Sequence, residues 1–199
     1  GHKQDQLELD FLNACGKALA GMIERKLIEK ELHRLSYMDE LTGVANRRKF
    51  MELLTGTLKL SGKVDRSLAV LFLDLDFFKA INDSHGHEFG DMILIEVGQR
   101  MQSCVRDTDL VARLGGDEFV VLLEMIAAPE EALEIAEKLI QIVSIPYAIK
   151  GRQLSIGVSV GISLYPQHDT SSDGLLKKAD HALYGAKENR GKAVLFSDL

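Results

Sequence analysis

The chain has 199 residues, of which 46% are hydrophobic and 27% charged, and this composition is typical of a globular protein and excludes a disordered one. The length suffices for one good core, or for one domain with an appendage. A formal net charge of −6 argues against a nucleic-acid surface, because a polyanion is bound by clustered lysine and arginine, although a metal and a few local cations can still hold a single nucleotide.

The two cysteines, Cys15 and Cys104, have no Cys or His neighbours at metal-ligand spacing. Two free thiols in a reducing cytosol are therefore expected, and with them a cytoplasmic location. No apolar run approaches the length of a membrane span and no signal peptide is visible, although a longer protein could be attached to a membrane through other segments. Gly1-His2, without an initiator Met, is interpreted as the remnant of a cleaved tag, so the chain is expected to be a piece of such a longer protein.

Residues 1–37 predict one long helix that is separate from the rest of the chain. Apolar side chains recur at helical spacing with charged residues between them, and the phase shifts near residues 21–27, as in a coiled-coil stutter. Such a helix has to bury its apolar stripe against another chain or back on its own domain, and a parallel coiled-coil dimer is the favoured interpretation. The stripe consists of Leu12, Cys15, Leu19, Met22, Ile28, Leu32 and Leu35.

Residues 38–199 predict one α/β domain. The helix breaks within residues 36–46, and Asn46 is a good N-cap for the next helix. Residues 68–75 are a nearly continuous apolar run, typical of a central strand that is covered on both faces. The alternation of helices and strands favours a central mixed or antiparallel sheet flanked by helices. The predicted helices are 47–60, 77–84, one that follows the loop 85–91 and ends near 104, 129–143 and 174–189; further strands are predicted at 147–149, 154–164 and 193–196.

A β-hairpin with an acidic tip is predicted around Gly115-Gly116-Asp117-Glu118. Two β-prone runs flank this stretch, and paired glycines allow the positive φ of a tight turn. The two carboxylates repel each other unless a hard cation lies beside them, and the glycines leave the backbone accessible to a phosphate.

Asp74 stands at the carboxyl end of the apolar strand, where open α/β sheets bind ligands. A carboxylate there is costly unless it is paired or bound to a metal, and it meets Asp117 if the two strands are neighbours. Asp76 is expected to point away from Asp74 and to pair only at the surface.

Four motifs in order resemble the GGDEF family, the diguanylate cyclases. Residues 115–119 spell the name of the family, residues 39–48 resemble its DxLTGLxNRR motif, and residues 73–83 resemble its D-x-D-x-F-K-x-I-N-D motif. His85-Gly86-His87 and Gly90-Asp91 continue the match, and Ala186-Lys187 resembles the C-terminal phosphate contact. Because order and spacing agree from residue 39 to residue 196, the resemblance covers most of the chain and implies a nucleotide-cyclase-like fold for residues 38–199.

The resemblance implies a divalent-metal site for Mg²⁺, with Mn²⁺ as an alternative. Its ligands would be Asp74, the backbone carbonyl of Leu75 and Asp117, with Glu118 close by; an all-oxygen set suits a hard cation. Asp117 or Glu118 is implied as the acid–base and electrostatic centre. Lys79 is implied near the α-phosphate, where a cation stabilises the charge of a phosphoryl-transfer transition state.

The resemblance also implies a GTP site in which Asn82 and Asp91 read the guanine base. A carboxylate accepts from guanine N1–H and the N2 amine, and adenine offers no such pair of donors, so Asp91 favours GTP over ATP. His87 is implied in the nucleotide pocket, with a loop-bracing role as the alternative. The other implied substrate contacts are Phe77, Gly115, Gly116, Lys187 and Arg190; after Lys187 the sequence departs from the family pattern, and either Arg190 or Lys192 takes the second phosphate contact.

Arg106-Asp107-Thr108-Asp109 matches the RxxD inhibitory site of the family, with Asp109 six residues before Gly115. The resemblance implies that Arg106 and Asp109 bind cyclic di-GMP. The implied function is metal-dependent condensation of two GTP into cyclic di-GMP and two pyrophosphates, under product inhibition. It requires a homodimer, formed through the N-terminal signalling helix and facing active sites, with an upstream sensor domain and no nucleic-acid partner.

Two alternatives remain. The first is a catalytically weak GGDEF domain that binds GTP or cyclic di-GMP and serves as a signalling module; the altered sequence after Lys187 keeps it open. The second is a cyclase that makes a mixed or adenine dinucleotide, which Asp91 disfavours.

Overall fold

The computed structural model describes residues 16, 17, 19–26, 36–61 and 67–197. The chain divides into two compact units, residues 1–37 and residues 38–199. In the first unit the described residues between 16 and 26 are helical, and Leu19 and Met22 are 61% and 65% exposed. The other positions of the proposed coiled-coil stripe lie outside the described residues, so the coiled coil stays a prediction. None of the described helices is long and apolar enough to cross a membrane.

A six-stranded mixed sheet forms the centre of the second unit. The strands are β1 (Ala45–Asn46), β2 (Ser67–Asp76), β3 (Leu110–Gly115), β4 (Glu118–Ile126), β5 (Tyr147–Ile149), β6 (Arg152–Leu154), β7 (Gly157–Tyr165) and β8 (Ala193–Leu195). The order in the sheet is β1-β3-β4-β2-β7-β8, and β5 and β6 form a separate hairpin. The four central strands β3, β4, β2 and β7 are antiparallel to one another, and the short edge strands β1 and β8 pair in parallel with β3 and β7. The predicted sheet is confirmed.

Helices cover both faces of the sheet. They are α1 (Arg47–Ser61), α2 (Phe78–His85), α3 (His87–Cys104), α4 (Pro129–Ser144) and α5 (Ser172–Glu188). Side chains of α3 and α4 pack on one face, and those of α1 and α5 pack on the other. Two hydrophobic cores therefore enclose the sheet.

The alternation of strand β2 explains why its sequence is apolar without a break. Leu71 and Leu73 point into the core under α3 and α4, whereas Val70 and Phe72 point into the core under α1 and α5. Successive side chains of a strand face opposite sides, so a strand covered on both faces needs apolar residues at every position. By the same alternation, the even-numbered aspartates at the end of β2 lie on the α5 side.

Polar side chains set the starts of two helices. The side chain of Asn46 accepts a hydrogen bond from the Lys49 amide at 3.1 Å, which confirms the predicted N-cap of α1. Helix α5 begins at Ser172, two residues earlier than predicted, because the Ser171 hydroxyl accepts from the Gly174 amide at 3.1 Å. The strand predicted at 154–164 is two strands, β6 and β7.

Candidate active site

The end of β2 and the start of β4 meet at one end of the sheet. In the strand register, Asp74 lies opposite Glu118 of β4 on one side and opposite Ser159 of β7 on the other. The Leu75 amide donates to the Asp117 carbonyl at 3.3 Å, which ties the hairpin tip to β2. The condition set by the sequence, that Asp74 and Asp117 lie on neighbouring strands, is therefore met.

The hairpin turn needs its two glycines. Gly115 has φ 145° and Gly116 has φ 53°, conformations in which a Cβ is strained. Arg113 holds the turn from inside, because its Nε and Nη2 donate to the Gly116 carbonyl at 2.9 and 2.7 Å. The backbone of the hairpin tip is therefore not covered by side chains at Gly115 and Gly116, and the Arg113 hydrogen bonds hold it in place.

Asp39 completes this brace. Its Oδ1 and Oδ2 accept from Arg113 Nη1 at 3.0 and 3.3 Å, and Oδ1 also accepts from the amide and hydroxyl of Thr42 at 2.9 and 2.6 Å. Burial raises the pKa of Asp39, but the Thr42 hydrogen bonds and the Arg113 guanidinium outweigh it and hold that pKa below its usual value. Asp39, which belongs to the motif of residues 39–48, thus stabilises the hairpin through Arg113. Sequence reasoning gave neither Asp39 nor Arg113 a role; Asp39 lies in the matched motif 39–48, whereas Arg113 precedes the matched residues 115–119.

Carboxylates crowd at the hairpin. The pKa of Asp74 is raised by burial and by the negative charges of Asp117 and Asp76, although Lys187 opposes the shift. The pKa of Glu118 is raised by burial and by Asp74, Asp180 and Asp117. Like charges held this close favour protonation or a bound cation.

The donor set suits a hard cation. Among the described residues no group of three or more His, Cys, Asp or Glu side chains could hold a metal ion. Mg²⁺ needs fewer protein ligands, since it is usually bound through one or two carboxylates together with waters and substrate phosphates. Asp74 and Asp117 offer such a pair, and the carbonyl of Leu75 adds a third oxygen donor, so the residues present fit the metal that the family implies.

Lys187 of α5 reaches the same strand end. Its Nζ contacts Asp74 Oδ1, and it lies 3.1 Å from Oδ1 of Asp76, which is 3% exposed. The expectation that Asp76 points away from Asp74 and pairs at the surface was wrong, because residues i and i+2 of a strand share a face. The two aspartates lie side by side, and Lys187 contacts both.

The residues after β2 present a cation and an aromatic ring. Phe77 has φ 63° and is 65% exposed, and the Arg190 guanidinium lies 4.2 Å from the centroid of its ring. A left-handed conformation at a bulky residue is uncommon and occurs chiefly where function constrains the backbone. Lys79 is exposed on the first turn of α2. Arg190 is thus held beside the strand end, and the assignment of the second phosphate contact to Arg190 or Lys192 stays a prediction.

The proposed base-reading residues lie on two packed helices, Asn82 on α2 and Asp91 on α3. Asn82 Oδ1 is buried and has no hydrogen-bond partner among the residues that the structure describes. Gly90 makes room for it, since a Cβ there would lie 2.0 Å from Asn82 Oδ1. A buried acceptor without a donor is costly, so this atom is suited to receive an N–H from a ligand. Asp91 is exposed.

His85 braces this region. Its Nδ1 is 3.0 Å from Arg152 Nη1 and its ring packs on Phe89 with centroids 5.7 Å apart. His87 is exposed at the first position of α3. Both roles predicted for His87, in a nucleotide pocket or as a loop brace, stay predictions.

The RxxD residues lie at the other end of β3 from the hairpin. Asp109 Oδ2 accepts from the Arg106 amide and Oδ1 from the Glu124 amide, each at 3.1 Å. The Arg106 side chain pairs with Glu131 at 2.8 Å and is 64% exposed. Five residues of extended strand lie between Asp109 and Gly115, which places the two on the order of 20 Å apart. Binding of cyclic di-GMP at these residues stays a prediction.

The fold and the site combine a mixed sheet, a carboxylate cluster at one strand end and a glycine hairpin beside it. Residues 36–193 match the family described as "Diguanylate cyclase, GGDEF domain". The chain belongs to the GGDEF family.

Several relatives and solved structures are similar to this chain. The chain is 44% identical over 185 residues to MucR of Pseudomonas aeruginosa, named as a bifunctional diguanylate cyclase/cyclic di-GMP phosphodiesterase, covering 93% of this chain and 27% of MucR. It is 42% identical to NbdA of the same species, named as a cyclic di-GMP phosphodiesterase, covering 83% of this chain and 21% of NbdA. The GGDEF domain of TpbB, also from P. aeruginosa, superposes with a TM-score of 0.79 and 41% identity, covering 81% of this chain and 95% of that structure. The chain thus spans roughly a quarter of these two full-length relatives.

Proposed function

We propose that this chain is the catalytic part of a diguanylate cyclase, which condenses two GTP into cyclic di-GMP and two pyrophosphates in a metal-dependent reaction. Membership of the GGDEF family supports the class of reaction. The observation that carries the proposal is the carboxylate cluster of Asp74, Asp117 and Glu118, in which burial, together with the neighbouring negative charges, raises the pKa of Asp74 and Glu118. Such a cluster suits a site that binds a cation and moves a proton.

The proposed chemistry is a displacement at phosphorus. The 3′-hydroxyl of one GTP attacks the α-phosphorus of the other, a P–O bond forms, and the bond to the leaving pyrophosphate breaks. Glu118 or Asp117 accepts the proton of the hydroxyl, and burial and neighbouring carboxylates raise the pKa of Glu118, which makes it a stronger base than an ordinary glutamate. Mg²⁺ or Mn²⁺, held by Asp74, the Leu75 carbonyl and Asp117, would neutralise charge that develops on the phosphates.

The proposed substrate contacts divide between the base and the phosphates. Asn82 Oδ1, the buried acceptor without a partner, receives an N–H of guanine, and Asp91 accepts a second one. Phe77, Gly115, Gly116 and His87 border the nucleotide. Lys187 and Arg190 contact the phosphates, and Lys79 stabilises charge at the α-phosphate.

Assembly and control are part of the proposal. One domain presents one GTP, so two copies must face each other around a two-fold axis, aided by the N-terminal signalling helix of residues 1–37. Arg106 and Asp109 bind the product cyclic di-GMP and slow the enzyme. An upstream sensor domain sets the geometry of the dimer, and the domain works in the cytoplasm.

A product assay tests the proposal. The chain is incubated with Mg²⁺ and GTP, ATP or both, and products are separated by chromatography. We expect cyclic di-GMP from GTP alone, a rate per protomer that rises with protein concentration, and loss of product with Glu118→Gln. An adenine-containing product would refute the guanine specificity, and absence of any product at high protein concentration would refute the cyclase.

A GTP-binding or cyclic di-GMP-binding signalling module is the second candidate. It is favoured by the sequence after Lys187, which departs from the family pattern, and by NbdA, a similar protein named only as a phosphodiesterase. The same samples separate the two candidates. Tight binding of GTP by calorimetry without turnover at any protein concentration would establish the module.

A further inference from the structure

Asp76 is a buried carboxylate to which the mechanism above gives no part. It is 3% exposed, and the Ser159 hydroxyl lies 2.9 Å from its Oδ1 and 3.1 Å from its Oδ2. Lys187 Nζ lies 3.1 Å and Arg190 Nε 3.8 Å from Oδ1. A buried charge is costly unless it is paired and hydrogen-bonded. Here one hydroxyl and two cations compensate it.

The neighbouring backbone is shaped around this carboxylate. Gly157 lies opposite Asp76 in the register of β2 and β7, and a Cβ there would come within 3.2 Å of Asp76 Oδ2. The Gly191 amide donates to the Ser159 hydroxyl oxygen at 3.3 Å, so the loop after α5 is tied to the same group. Ser159 thereby links Asp76, at the end of β2, to the segment 187–191, which contains Lys187 and Arg190.

Burial differs between the two ends of this network. The side chain of Asp76 is 4% exposed, whereas those of Lys187 and Arg190 are 27% and 50% exposed. Arg190 is further fixed by its stacking on Phe77. The Asp76 carboxylate is therefore the buried partner of the network, and the Lys187 and Arg190 side chains extend from it towards the surface at the end of the sheet.

We propose that Asp76, together with Ser159, is a positioning residue that fixes Lys187 and Arg190 where the phosphates of the nucleotide bind. The inference rests on the proposed function, because it assumes that a nucleoside triphosphate occupies this site. Asp76 contacts the cations and touches no reacting atom. It therefore acts on the substrate only through Lys187 and Arg190.

The direction in which Asp76→Asn changes nucleotide affinity distinguishes a positioning role from a direct effect of the Asp76 charge. Asp76→Asn keeps the size of the side chain and an acceptor for Ser159 but removes the negative charge. If Asp76 acted only through its own charge, the change would tighten binding of an anionic nucleotide, because a repulsive charge is lost. If it positions the cations, binding weakens, because the charge-assisted bonds that orient them are lost.

The test measures binding by titration calorimetry with Mg²⁺ and α,β-methylene-GTP, which cannot release pyrophosphate, and with GMP as the comparison. For Asp76→Asn we expect about tenfold weaker binding of the triphosphate, the effect of one charge-assisted hydrogen bond, and GMP affinity within about twofold of wild type. Ser159→Ala shifts triphosphate binding in the same direction by a smaller factor. Glu134→Gln, an exposed charge loss on α4, is the matched control and changes neither affinity.

A double substitution shows whether Asp76 acts through Lys187. In a Lys187→Met background, Asp76→Asn should weaken triphosphate binding by a clearly smaller factor than it does in the wild type, because one of the two cations that it positions is gone and only Arg190 remains. Melting temperatures confirm that each variant is folded. If Asp76→Asn does not fold, Ser159→Ala with and without Lys187→Met completes the same cycle.

Each outcome decides the matter. Unchanged or tighter triphosphate binding by Asp76→Asn, equal weakening of GMP, or full additivity with Lys187→Met overturns the positioning role and leaves the proposed function intact. If instead wild-type protein binds α,β-methylene-GTP no more tightly than GMP and makes no cyclic di-GMP, the proposed function fails and the inference falls with it.

Discussion

Replacing Arg113 with Met tests whether the Asp39–Arg113 brace holds the hairpin tip. The guanidinium makes two hydrogen bonds to the Gly116 carbonyl and a two-pronged contact with Asp39, and only 11% of the side chain is exposed. Bonds to a charged group contribute about 1.5–3 kcal/mol each in favourable cases, but Asp39 keeps its hydrogen bonds from Thr42. We expect the free energy of unfolding to fall by about 3 kcal/mol, or Tm by about 6–12 °C.

Urea unfolding followed by circular dichroism measures this loss. Arg106→Met is the matched control, because its guanidinium pairs with Glu131 but is 64% exposed, and exposed pairs contribute under about 1 kcal/mol. A double-mutant cycle with Asp39→Asn should give a coupling free energy of about 1–2 kcal/mol. Turnover of GTP by Arg113→Met should drop by about 100-fold, because the turn that presents the carboxylates loosens.

The effect should also depend on pH. Since the folded pKa of Asp39 is depressed, its contribution to stability is present above its unfolded pKa, near 3.8, and is lost as the pH falls through the lower folded value. The difference between wild type and Arg113→Met should therefore shrink in acid. If Arg113→Met lost no more stability than Arg106→Met, or if the coupling with Asp39→Asn were zero, the brace would have no part in holding the turn.

Three further changes probe the base pocket, the carboxylate cluster and the inhibitory site. Gly90→Ala places a methyl group 2.0 Å from Asn82 Oδ1, so GTP affinity measured by calorimetry should fall by at least about tenfold. The control Gly56→Ala has nothing within 4 Å of the new methyl group and should leave GTP affinity unchanged. It should also stabilise α1 by up to about 1 kcal/mol. Glu118→Gln should abolish turnover yet raise the free energy of unfolding by up to about 1 kcal/mol, because it removes like-charge repulsion. A raised folded pKa costs stability as the pH rises through it, so urea unfolding should show a larger gain at pH 8 than at pH 5. Arg106→Ala should raise the cyclic di-GMP concentration that halves activity by at least about tenfold, with Tm changed by no more than about 4 °C.

Each of these expectations has a result that contradicts it. Unchanged GTP affinity in Gly90→Ala would show that the guanine base does not bind at Asn82. A loss of stability in Glu118→Gln at pH 8 would mean that Glu118 is compensated and not repelled. Unaltered inhibition by cyclic di-GMP in Arg106→Ala would show that the RxxD residues do not mediate product inhibition.

The core elements were predictable because their patterns are local. The unbroken apolar run of β2 required cover on both faces, and the structure places α3 and α4 on one side and α1 and α5 on the other. The glycine pair predicted a hairpin, and Gly115 and Gly116 both have positive φ. In these cases one physical requirement, burial or backbone conformation, acts on adjacent residues.

The cross-chain contacts were not predictable in the same way. Arg113 and Asp39 are 74 positions apart, and no periodicity joins them. The contact of Lys187 with Asp74 and Asp76 depends on how α5 packs on the sheet. The error at Asp76 had a different origin: the rule of strand alternation was misapplied, since positions two apart share a face. Coiled-coil pairing stays a prediction because most of its stripe lies outside the described residues.

The short edge strands limit how two copies of this domain can meet. β1 has two residues and β8 has three, so each edge of the sheet offers few backbone groups to an incoming strand. Joining two sheets edge to edge into one continuous sheet is therefore disfavoured. The face-to-face arrangement that we propose for GTP condensation would therefore be built from side chains, from the bound nucleotides and from the N-terminal helix. Such an assembly can open again to release its product, which a continuous sheet would resist.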